Sequence, residues 1–260
     1  MKIIISPAKK MNIDTDTAPW QALPAYLEQT RALLGYLRSL SYDRCKAIWR
    51  CSDRLARENF ARLAEMDLER TLTPALLSYE GIQYQHLAPK VMEEEQLYYL
   101  QGHLRILSGF YGMLKPFDGV TPYRLEMQAK LGAGKWKTLY EYWGDRLAED
   151  LFREDPLILN LASKEYSRCI SSCLKGREQV RFVTCVFGER QNGKIVEKGT
   201  LAKMARGEMV RYLAEVQAED PEAVKGFQGL DYHFCEKDSD EKTFIFIKNN
   251  KDVRIREKHL

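Results

Sequence analysis

The segment KIIIS, residues 2–6, is followed directly by Pro7. Its three consecutive isoleucines form a run too short for a helix, and continuous apolar runs of this kind are typical of strands buried on both faces. Pro7 then ends the strand because proline has no backbone N–H to donate. A second such run, LILNLA at Leu157–Ala162, predicts another buried strand. Together the two segments predict an α/β core built around a sheet.

Helical spacing of apolar residues dominates the segment from Pro24 to about Leu68, where Ser41 and Ser52 occupy N-cap positions. This segment predicts two or three short helices joined by tight turns. Further helices are predicted at residues 73–81, 89–99, 138–152, 200–217 and 221–226.

Two strand pairs are predicted in the second half of the chain. Residues 180–187 and 194–196 flank a turn that contains Asn192-Gly193, a dipeptide typical of a tight hairpin. Tyr232–Glu236 and Thr243–Lys248 form a terminal pair across a charged turn. No repeat or flexible linker interrupts the chain. The sequence therefore predicts a mixed α/β fold, a single compact domain over residues 1–260 whose central mixed β-sheet is surrounded by helices and closed by the two termini.

The composition excludes several classes of protein. Of the 260 residues, 45% are hydrophobic, which is enough for a substantial core and argues against disorder. The formal net charge of +3 is far from that of a histone-like polycation, so any phosphate site has to come from local clustering of cations. No apolar run approaches the roughly 18 residues needed to cross a bilayer, and the N-terminus lacks a signal-peptide core. We expect a cytoplasmic protein with no membrane partner.

The six cysteines and four histidines do not form a metal-binding pattern. There is no C-x-x-C pair, and the histidines are scattered without ligand spacing at His86, His103, His233 and His259. Cys169 and Cys173 are spaced to share a helix face, and two small buried side chains explain that spacing more simply than a metal does. We predict free thiols, no tightly bound metal and no cofactor.

Signatures of several enzyme classes are missing from the chain. The sequence has no G-x-x-x-x-G-K-[ST] phosphate loop, no G-x-G-x-x-G turn and no H-E-x-x-H helix. No histidine lies in a partner pattern that would support a Ser-His-Asp hydrolase. Enzymes with strong local motifs are therefore disfavoured, and a non-catalytic binding function is the leading interpretation.

The segment RILSGFYGMLKPFDGVTPYRLEM, residues 105–127, concentrates glycines, prolines and aromatic residues around Arg124 and Glu126. Glycine permits close approaches, and Pro116 and Pro122 fix the backbone, so the segment predicts a rigid, shaped loop. Arg124 and Glu126 are then candidates for a pre-positioned ion pair beside a cleft. The structural alternative is a well-packed connector with a surface arginine.

Polar side chains follow both predicted buried strands, at the positions where a sheet displays functional groups. Ser6 and Lys9 come directly after the first strand, although Lys9 is otherwise an ordinary solvated lysine. Ser163, Glu165 and Tyr166 follow the second strand, where Ser163 is also placed to cap the next helix. These five residues are candidates for one functional site.

A third polar group lies in the helix predicted over residues 200–217. Lys203 and Arg206 are three residues apart on one side of this helix, opposite an apolar stripe. Gly207 costs up to about 1 kcal/mol in a helix interior, which a close approach of backbone or ligand would explain. Arg211 lies to one flank, either in the cleft or on the surface. A helix with a solvated basic face is the alternative interpretation.

Four segments taken together resemble the YaaA family of peroxide stress proteins: ISPAK (5–9), LSGFYGMLKPFDGVTPYRLEM (107–127), NLASKEY (160–166) and AKMARGEMVRY (202–212). IWRCSDRLARENFARL (48–63) and WGDRL (143–147) are similar to further stretches of that family. The resemblance implies a family-specific α/β fold with a positively charged cleft and a helix-hairpin-helix-like element that binds DNA, here within about residues 25–68. It also implies protection against hydrogen peroxide, with roles in DNA repair and in limiting unincorporated iron.

The chain departs from the family pattern in two places. Where the family commonly has a Gly-Asp-Val-Tyr run, this chain has Gly81-Ile82-Gln83-Tyr84 and loses the acid. Phe187-Gly188-Glu189 stands where an Asp-rich turn usually follows a strand. In addition, residues 40–44 contain no glycine, although helix-hairpin-helix modules usually hold phosphate through a glycine-containing turn.

Our leading hypothesis is a cytoplasmic DNA-binding protein of the peroxide response that contacts the backbone of duplexes or repair intermediates, helps to protect DNA and limits free iron. Phosphates or a small anionic ligand would occupy a cleft, and Tyr123 and Tyr166 would stack on an exposed base. The candidate cleft residues are Ser6, Lys9, Tyr123, Arg124, Ser163, Tyr166, Lys203, Arg206 and Arg211. The candidate contacts from the helical hairpin are Lys46, Arg50, Arg54 and Arg57.

The alternative is an enzyme that acts on a phosphorylated, nucleotide or nucleic-acid substrate in the same cleft. Lys9, Arg124 and Lys203 would then bind the anion, while Glu126 or Glu165 would carry protons. Direct sequestration of iron is disfavoured because no di-iron E-x-x-H pattern is present.

Overall fold

The computed structural model describes residues 1–132 and 136–249. Its strands are β1 (Lys2–Ile5), β2 (Lys10–Met11), β3 (Thr73–Pro74), β4 (Tyr79–Glu80), β5 (Leu104–Ser108), β6 (Gly112–Leu114), β7 (Gly119–Val120), β8 (Leu157–Asn160), β9 (Arg181–Gln191), β10 (Lys194–Val196), β11 (Tyr232–Phe234) and β12 (Thr243–Lys248). Its α-helices are α1 (Leu27–Arg38), α2 (Tyr42–Trp49), α3 (Asp53–Glu65), α4 (Ala75–Ser78), α5 (Ile82–Leu87), α6 (Glu94–His103), α7 (Leu139–Trp143), α8 (Arg146–Glu154), α9 (Lys164–Ser171) and α10 (Gly199–Glu215). Short 3₁₀ turns lie at Pro89–Val91, Pro221–Gly226, Gly229–Asp231 and Glu236–Asp238.

A mixed sheet of eight strands forms the centre of the fold, with the order β11-β12-β9-β8-β1-β5-β6 and β10 paired to β9. The five strands β5, β1, β8, β9 and β12 run parallel, whereas β6, β10 and β11 pair antiparallel. The predicted mixed α/β fold is therefore confirmed. The two termini do not close the sheet as expected, because β1 lies in its interior, where Ile3, Ile4 and Ile5 are fully buried.

The prediction of a loop over residues 105–127 was wrong for three strands within it, β5, β6 and β7. Every residue of β5 is buried, including Arg105 in the middle of the apolar run. The guanidinium of Arg105 donates to Glu154 and to the backbone oxygens of Gln101 and Leu104, which satisfies a charge that the sequence pattern treats as a strand breaker. Residues 121–127 are irregular, as predicted, and carry Arg124 and Glu126.

Other elements differ from expectation mainly in how they are divided. Residues 73–81 form β3, α4 and β4 instead of one helix, and Gly144, with a φ of +52°, separates α7 from α8. The hairpin between β9 and β10 is confirmed, with Asn192 and Gly193 both at positive φ as its turn requires. All six cysteines are free, as predicted. Within residues 1–132 and 136–249 no helix has the length and apolarity of a membrane span.

Asp118 is a buried carboxyl group in the turn before β7, where it accepts a hydrogen bond from the backbone N–H of Lys115 at 2.9 Å. Burial raises its pKa to about 6. Because this value lies above that of the unfolded chain, Asp118 binds its proton more tightly in the native state. Its contribution therefore lowers the free energy of unfolding as the pH rises from about 4 to about 6.

We expect Asp118→Asn to be more stable than the wild type by about 2 kcal/mol at pH 7 and equally stable near pH 4. Asparagine keeps the oxygen that accepts from Lys115 but carries no charge to be buried. Urea unfolding of both proteins at the two pH values measures this difference. A difference in stability between the two proteins that did not change with pH would contradict the raised pKa of Asp118.

Candidate anion-binding site

The candidate site lies at the carboxyl ends of β1 and β8, which are adjacent in the sheet. From β1 the chain first reaches its neighbour β5 on one side, and later β8 on the other side. Connections that leave in opposite directions open a crevice outside the strand ends, which is where α/β sheets bind their ligands. Ser6 and Ser163 lie at this crevice.

Ser6 joins the segments that follow the two strands. Its Oγ accepts a hydrogen bond from the backbone N–H of Ser163 at 2.9 Å and donates to the Ser163 Oγ at 3.2 Å. The backbone oxygen of Ser6 accepts from Gln83 Nε2 at 3.2 Å and from the Tyr84 hydroxyl at 3.0 Å. Ser163 stands at the N-cap position of α9, as predicted, but its side chain is engaged by Ser6 and forms no capping bond.

Gly207 brings α10 against α5 at the edge of the site. A Cβ atom at this position would lie 2.1 Å from the backbone oxygen of Gln83, far inside van der Waals contact. The close backbone approach that the sequence predicted is therefore present, and its partner is a helix. This contact places Lys203 and Arg206 of α10 opposite the residues that follow β1.

These segments enclose a hollow of about 350 Å³. Ten of the side chains singled out from the sequence line it, although they come from four distant parts of the chain: Ser6, Lys9, Tyr123, Arg124, Glu126, Ser163, Glu165, Tyr166, Lys203 and Arg206. A volume of this order suits one small ligand or one group of a larger ligand.

Ion pairs neutralise the cations of the hollow to different extents. Lys9 Nζ lies 2.8 Å from Glu126 Oε1, and Arg124 Nη2 lies 4.0 Å from the same oxygen. Arg206 Nη2 lies 3.3 Å from Glu197 Oε1. Lys203 is exposed and forms no ion pair with any residue in the described ranges. The pair of Arg124 and Glu126 is thus long, and Lys203 is available to an external anion.

Arg124 and Arg206 are the most deeply placed cations of the hollow, with side chains only 14% and 13% exposed. Within the described part of the chain the Nε–H groups of both are buried and find no acceptor. Burial also lowers the pKa of Arg206. An incompletely satisfied buried charge is costly, so both guanidinium groups would be stabilised by an anion in the hollow.

Glu165 contributes a half-buried carboxyl group at the first turn of α9. Burial raises its pKa, even though the backbone N–H of Gln128 donates to its Oε1 at 3.3 Å. A carboxyl group with a raised pKa, beside the cations of the hollow, has the properties of a proton donor.

The tyrosines of the hollow belong to its wall. Tyr123 is buried, and its ring stacks on Phe110 with ring centres 5.0 Å apart. Its hydroxyl shares hydrogen bonds with Tyr79 at 2.9 Å and Ser108 at 2.6 Å, and burial raises its pKa to about 12. Tyr166 is also buried, which raises its pKa. The ring of Tyr123 is therefore not free to stack on an exposed base, although the sequence had led us to expect this.

Arg211 is not among the residues that line the hollow. Its Nε lies 2.9 Å from Glu215 Oε1, one helical turn further along α10. One turn separates Arg211 from Gly207, so the helix carries it away from the crevice. Of the two placements left open by the sequence, the structure selects the surface.

The basic residues of α2 and α3 do not reach the hollow, and acids on the same two helices pair with three of them. Asp53 contacts Lys46 Nζ at 2.7 Å and Arg57 Nε at 2.8 Å, and Glu58 contacts Arg54 Nη1 at 2.9 Å. The fourth residue, Arg50, is exposed and ends α2 with a left-handed φ of 46°. The interpretation of this helical pair as a helix-hairpin-helix DNA-binding element stays a prediction.

The hollow is also lined by residues that sequence reasoning did not assign to it, of which four have polar side chains: Lys10, Glu80, Gln83 and Tyr84. Lys10 forms an ion pair with Glu80 across the short ladder of β2 and β4. The sequence marked residues 81–84 only as a departure from the family pattern that loses an acid. It gave no indication of the partner strand.

No group of three or more histidine, cysteine, aspartate or glutamate side chains is arranged to hold a metal ion in the part of the chain that the structure describes. His259 lies outside the described residues. The side chains that line the hollow supply guanidinium and ammonium groups, carboxyl groups and buried phenols. Such a set binds anions and can transfer protons.

Sequence comparisons place the chain among proteins of the peroxide response. A sequence model of the family described as peroxide stress protein YaaA matches residues 1–238. The UPF0246 protein of Lachnoclostridium phytofermentans is 56% identical over 256 residues, which are 98% of this chain and 100% of that protein. UPF0246 proteins of Agathobacter rectalis and Limosilactobacillus reuteri are 52% and 49% identical, each over 95% of this chain and 98% of the relative. The chain therefore belongs to the YaaA family of peroxide stress proteins.

Proposed function

We propose that this peroxide stress protein binds DNA through phosphate contacts at the hollow beyond β1 and β8, and that it protects DNA in this way. The observation that carries the proposal is the meeting of Lys9, Arg124, Lys203 and Arg206 in one hollow, although they lie in three distant segments. A protein with a net charge of only +3 needs such clustering to attract a polyanion.

The cations of the hollow form two layers with different accessibility. Lys9 is 66% exposed at the rim, and Lys203 is exposed on the neighbouring helix. These flexible ammonium groups are suited to contacts with backbone phosphates of any sequence. Arg124 and Arg206 lie deeper, with most of each side chain removed from solvent. We therefore assign the general DNA contacts to the rim lysines.

We assign the helical pair α2–α3 a smaller part in this function than the hollow. Lys46, Arg54 and Arg57 are each bonded to a carboxylate, so a phosphate has to compete with an existing partner. Lys203 has no such competitor among the described residues. The main DNA contact is accordingly proposed at the hollow.

Phosphate contacts predict a steep loss of DNA affinity with salt, because each neutralised phosphate releases bound counterions. We expect Lys203→Gln to weaken binding for all duplex sequences alike and to make the slope of log K against log salt shallower by about 1. Fluorescence anisotropy of a labelled duplex at several salt concentrations measures both effects.

Arg211→Gln is the matched control, since it removes one positive charge from the same helix outside the hollow. We expect this variant to keep the slope of the wild type. Affinity of the wild type that did not vary with salt would refute phosphate-dominated binding. Equal slopes for Lys203→Gln and Arg211→Gln would mean that the hollow does not contact the DNA phosphates.

The carboxyl group of Glu165 favours a second candidate function, an enzyme that acts on a phosphorylated or nucleotide substrate. Its raised pKa suits proton transfer, and the neighbouring cations suit a phosphate. Product formation from such substrates by the wild type, and its loss in Glu165→Gln without loss of DNA affinity, would support the enzyme. DNA binding without turnover of any substrate supports the binding function alone.

A further inference from the structure

The floor of the hollow holds more positive charge than contact with a single internal phosphate requires. Arg124 has no hydrogen bond to any described residue, and its nearest carboxylate oxygen is 4.0 Å away. Arg206 has one contact, at 3.3 Å, and its Nε–H lacks an acceptor within the described ranges. Two guanidinium groups that are largely removed from water therefore share one space without full compensation.

The charges around the hollow specify the ligand further. Five cations line it, Lys9, Lys10, Arg124, Lys203 and Arg206, together with three carboxyl groups, Glu80, Glu126 and Glu165. The described lining thus carries an excess of two positive charges when all of these groups are ionised, and Glu197, which lies outside the lining, offsets part of the charge of Arg206. An internal phosphodiester has one negative charge, whereas a terminal phosphate has about −1.5 to −2 at pH 7 and three free oxygens.

The shape of the hollow also favours a terminal phosphate over an internal one. An internal phosphate of DNA is flanked on both sides by sugars, so the strand holds it away from the floor of an enclosed hollow. A terminal phosphate is attached on one side only and can enter with its three oxygens leading. Guanidinium groups bind such oxygens with strong, charge-assisted hydrogen bonds.

We infer that Arg124 and Arg206 form a subsite for a phosphomonoester, the terminal phosphate of a DNA end or of a nucleotide. The inference deepens the proposed function: the exposed lysines contact the DNA backbone, and the buried arginines bind the phosphate at a break or end. The same chemistry would accept a free nucleoside monophosphate, so the source of the phosphate has to be decided by experiment.

The test uses hairpin duplexes of one sequence with a single open end that carries a 5′-hydroxyl, a 5′-phosphate or a 3′-phosphate. We expect at least one phosphorylated end to bind about tenfold more tightly than the hydroxyl end, which corresponds to one or two charge-assisted hydrogen bonds. A nucleoside monophosphate and its nucleoside serve as competitors. If the monophosphate competed but the nucleoside did not, and the three ends bound equally, the subsite would be supported with a free nucleotide as the source of the phosphate.

In Arg124→Gln and Arg206→Gln we expect the preference to be lost, so that phosphorylated and hydroxyl ends bind with about equal affinity. Thermal unfolding shows whether these buried variants fold, and the exposed Lys203→Gln provides a variant that does not disturb the core. It is expected to weaken binding to all three ends alike and to leave the preference unchanged, and Arg211→Gln should change neither.

Equal affinity for hydroxyl and phosphorylated ends, with no competition by the monophosphate, would overturn the subsite while DNA binding itself still stood. A preference that survived unchanged in both Arg124→Gln and Arg206→Gln would also overturn it. If no duplex bound but the monophosphate bound in an Arg206-dependent manner, the subsite would hold and the proposed DNA-binding function would fail.

Discussion

Replacement of Gly207 by alanine is expected to destabilise the protein by about 3 kcal/mol, although the same change in an ordinary helix interior stabilises by up to about 1 kcal/mol. The added Cβ would lie 2.1 Å from the backbone oxygen of Gln83 and 3.0 Å from the backbone nitrogen of Leu87. Both atoms belong to the backbone of α5 and cannot rotate away as a side chain can. The helices α5 and α10 would therefore have to separate.

The separation would also disturb the hollow, because both helices contribute to it. Helix α5 carries Gln83 and Tyr84, which donate to the backbone oxygen of Ser6, and α10 carries Lys203 and Arg206. We therefore expect Gly207→Ala to weaken anion binding in addition to lowering the free energy of unfolding.

Gly35→Ala is the matched control for this change. Gly35 lies in the interior of α1, and a Cβ atom there would have no heavy atom within 4 Å. Urea unfolding should show a small gain in stability for Gly35→Ala and a large loss for Gly207→Ala. The same small gain in both variants would mean that α5 and α10 are not in close contact.

The strands that build the sheet could be predicted from the sequence where hydrophobicity alone specifies them. β1 and β8 are apolar except for one terminal residue each, Lys2 and Asn160, and were identified with an error of one or two residues at their ends. β5 is equally buried but contains Arg105, whose partner Glu154 lies 49 residues away. A pattern of local hydrophobicity has no access to that partner, and the strand was therefore assigned to a loop.

The same distinction explains the candidate site. Residues that directly follow a strand, such as Ser6 and Ser163, were accessible because parallel strands end at one edge of a sheet. The surroundings of a side chain could not be predicted in the same way. Nothing in the sequence near Tyr123 shows that its ring stacks on Phe110. For Arg57 a signal was available, since Asp53 lies four residues earlier on the same helix face.

The largest loss of stability is expected for Trp143→Ala, at about 4 kcal/mol. Trp143 is the last residue of α7 and is 1% exposed. Its ring packs edge-on against Tyr26 and Tyr142 at centroid distances of 5.7 and 5.2 Å. Its indole N–H donates to the backbone oxygen of Gly109 at 3.0 Å. Alanine would leave a large cavity and an unsatisfied buried carbonyl group.

Loss of the Trp143 indole is also expected to affect the hollow, because the indole is bonded to Gly109. A Cβ atom at Gly109 would lie 2.6 Å from the backbone oxygen of Leu125, so the turn between β5 and β6 packs tightly against the segment that carries Arg124 and Glu126. Loss of the indole that holds this turn is expected to loosen the segment and weaken anion binding. Trp143→Phe, which keeps a ring but not the N–H, should cost about 1–2 kcal/mol.

Trp20→Ala is the control, because Trp20 is 41% exposed and its removal opens a smaller cavity. We expect it to lower the free energy of unfolding by about 1 kcal/mol and to leave anion binding intact. Denaturant unfolding and phosphate binding of the three variants measure these differences. If Trp143→Ala cost no more than Trp20→Ala, the indole would not be what holds the turn at Gly109 in place. The position of Arg124 would then depend on residues 121–127 alone, whose two ends are fixed by the ladder of β7 with β3 and by the contact with Gly109.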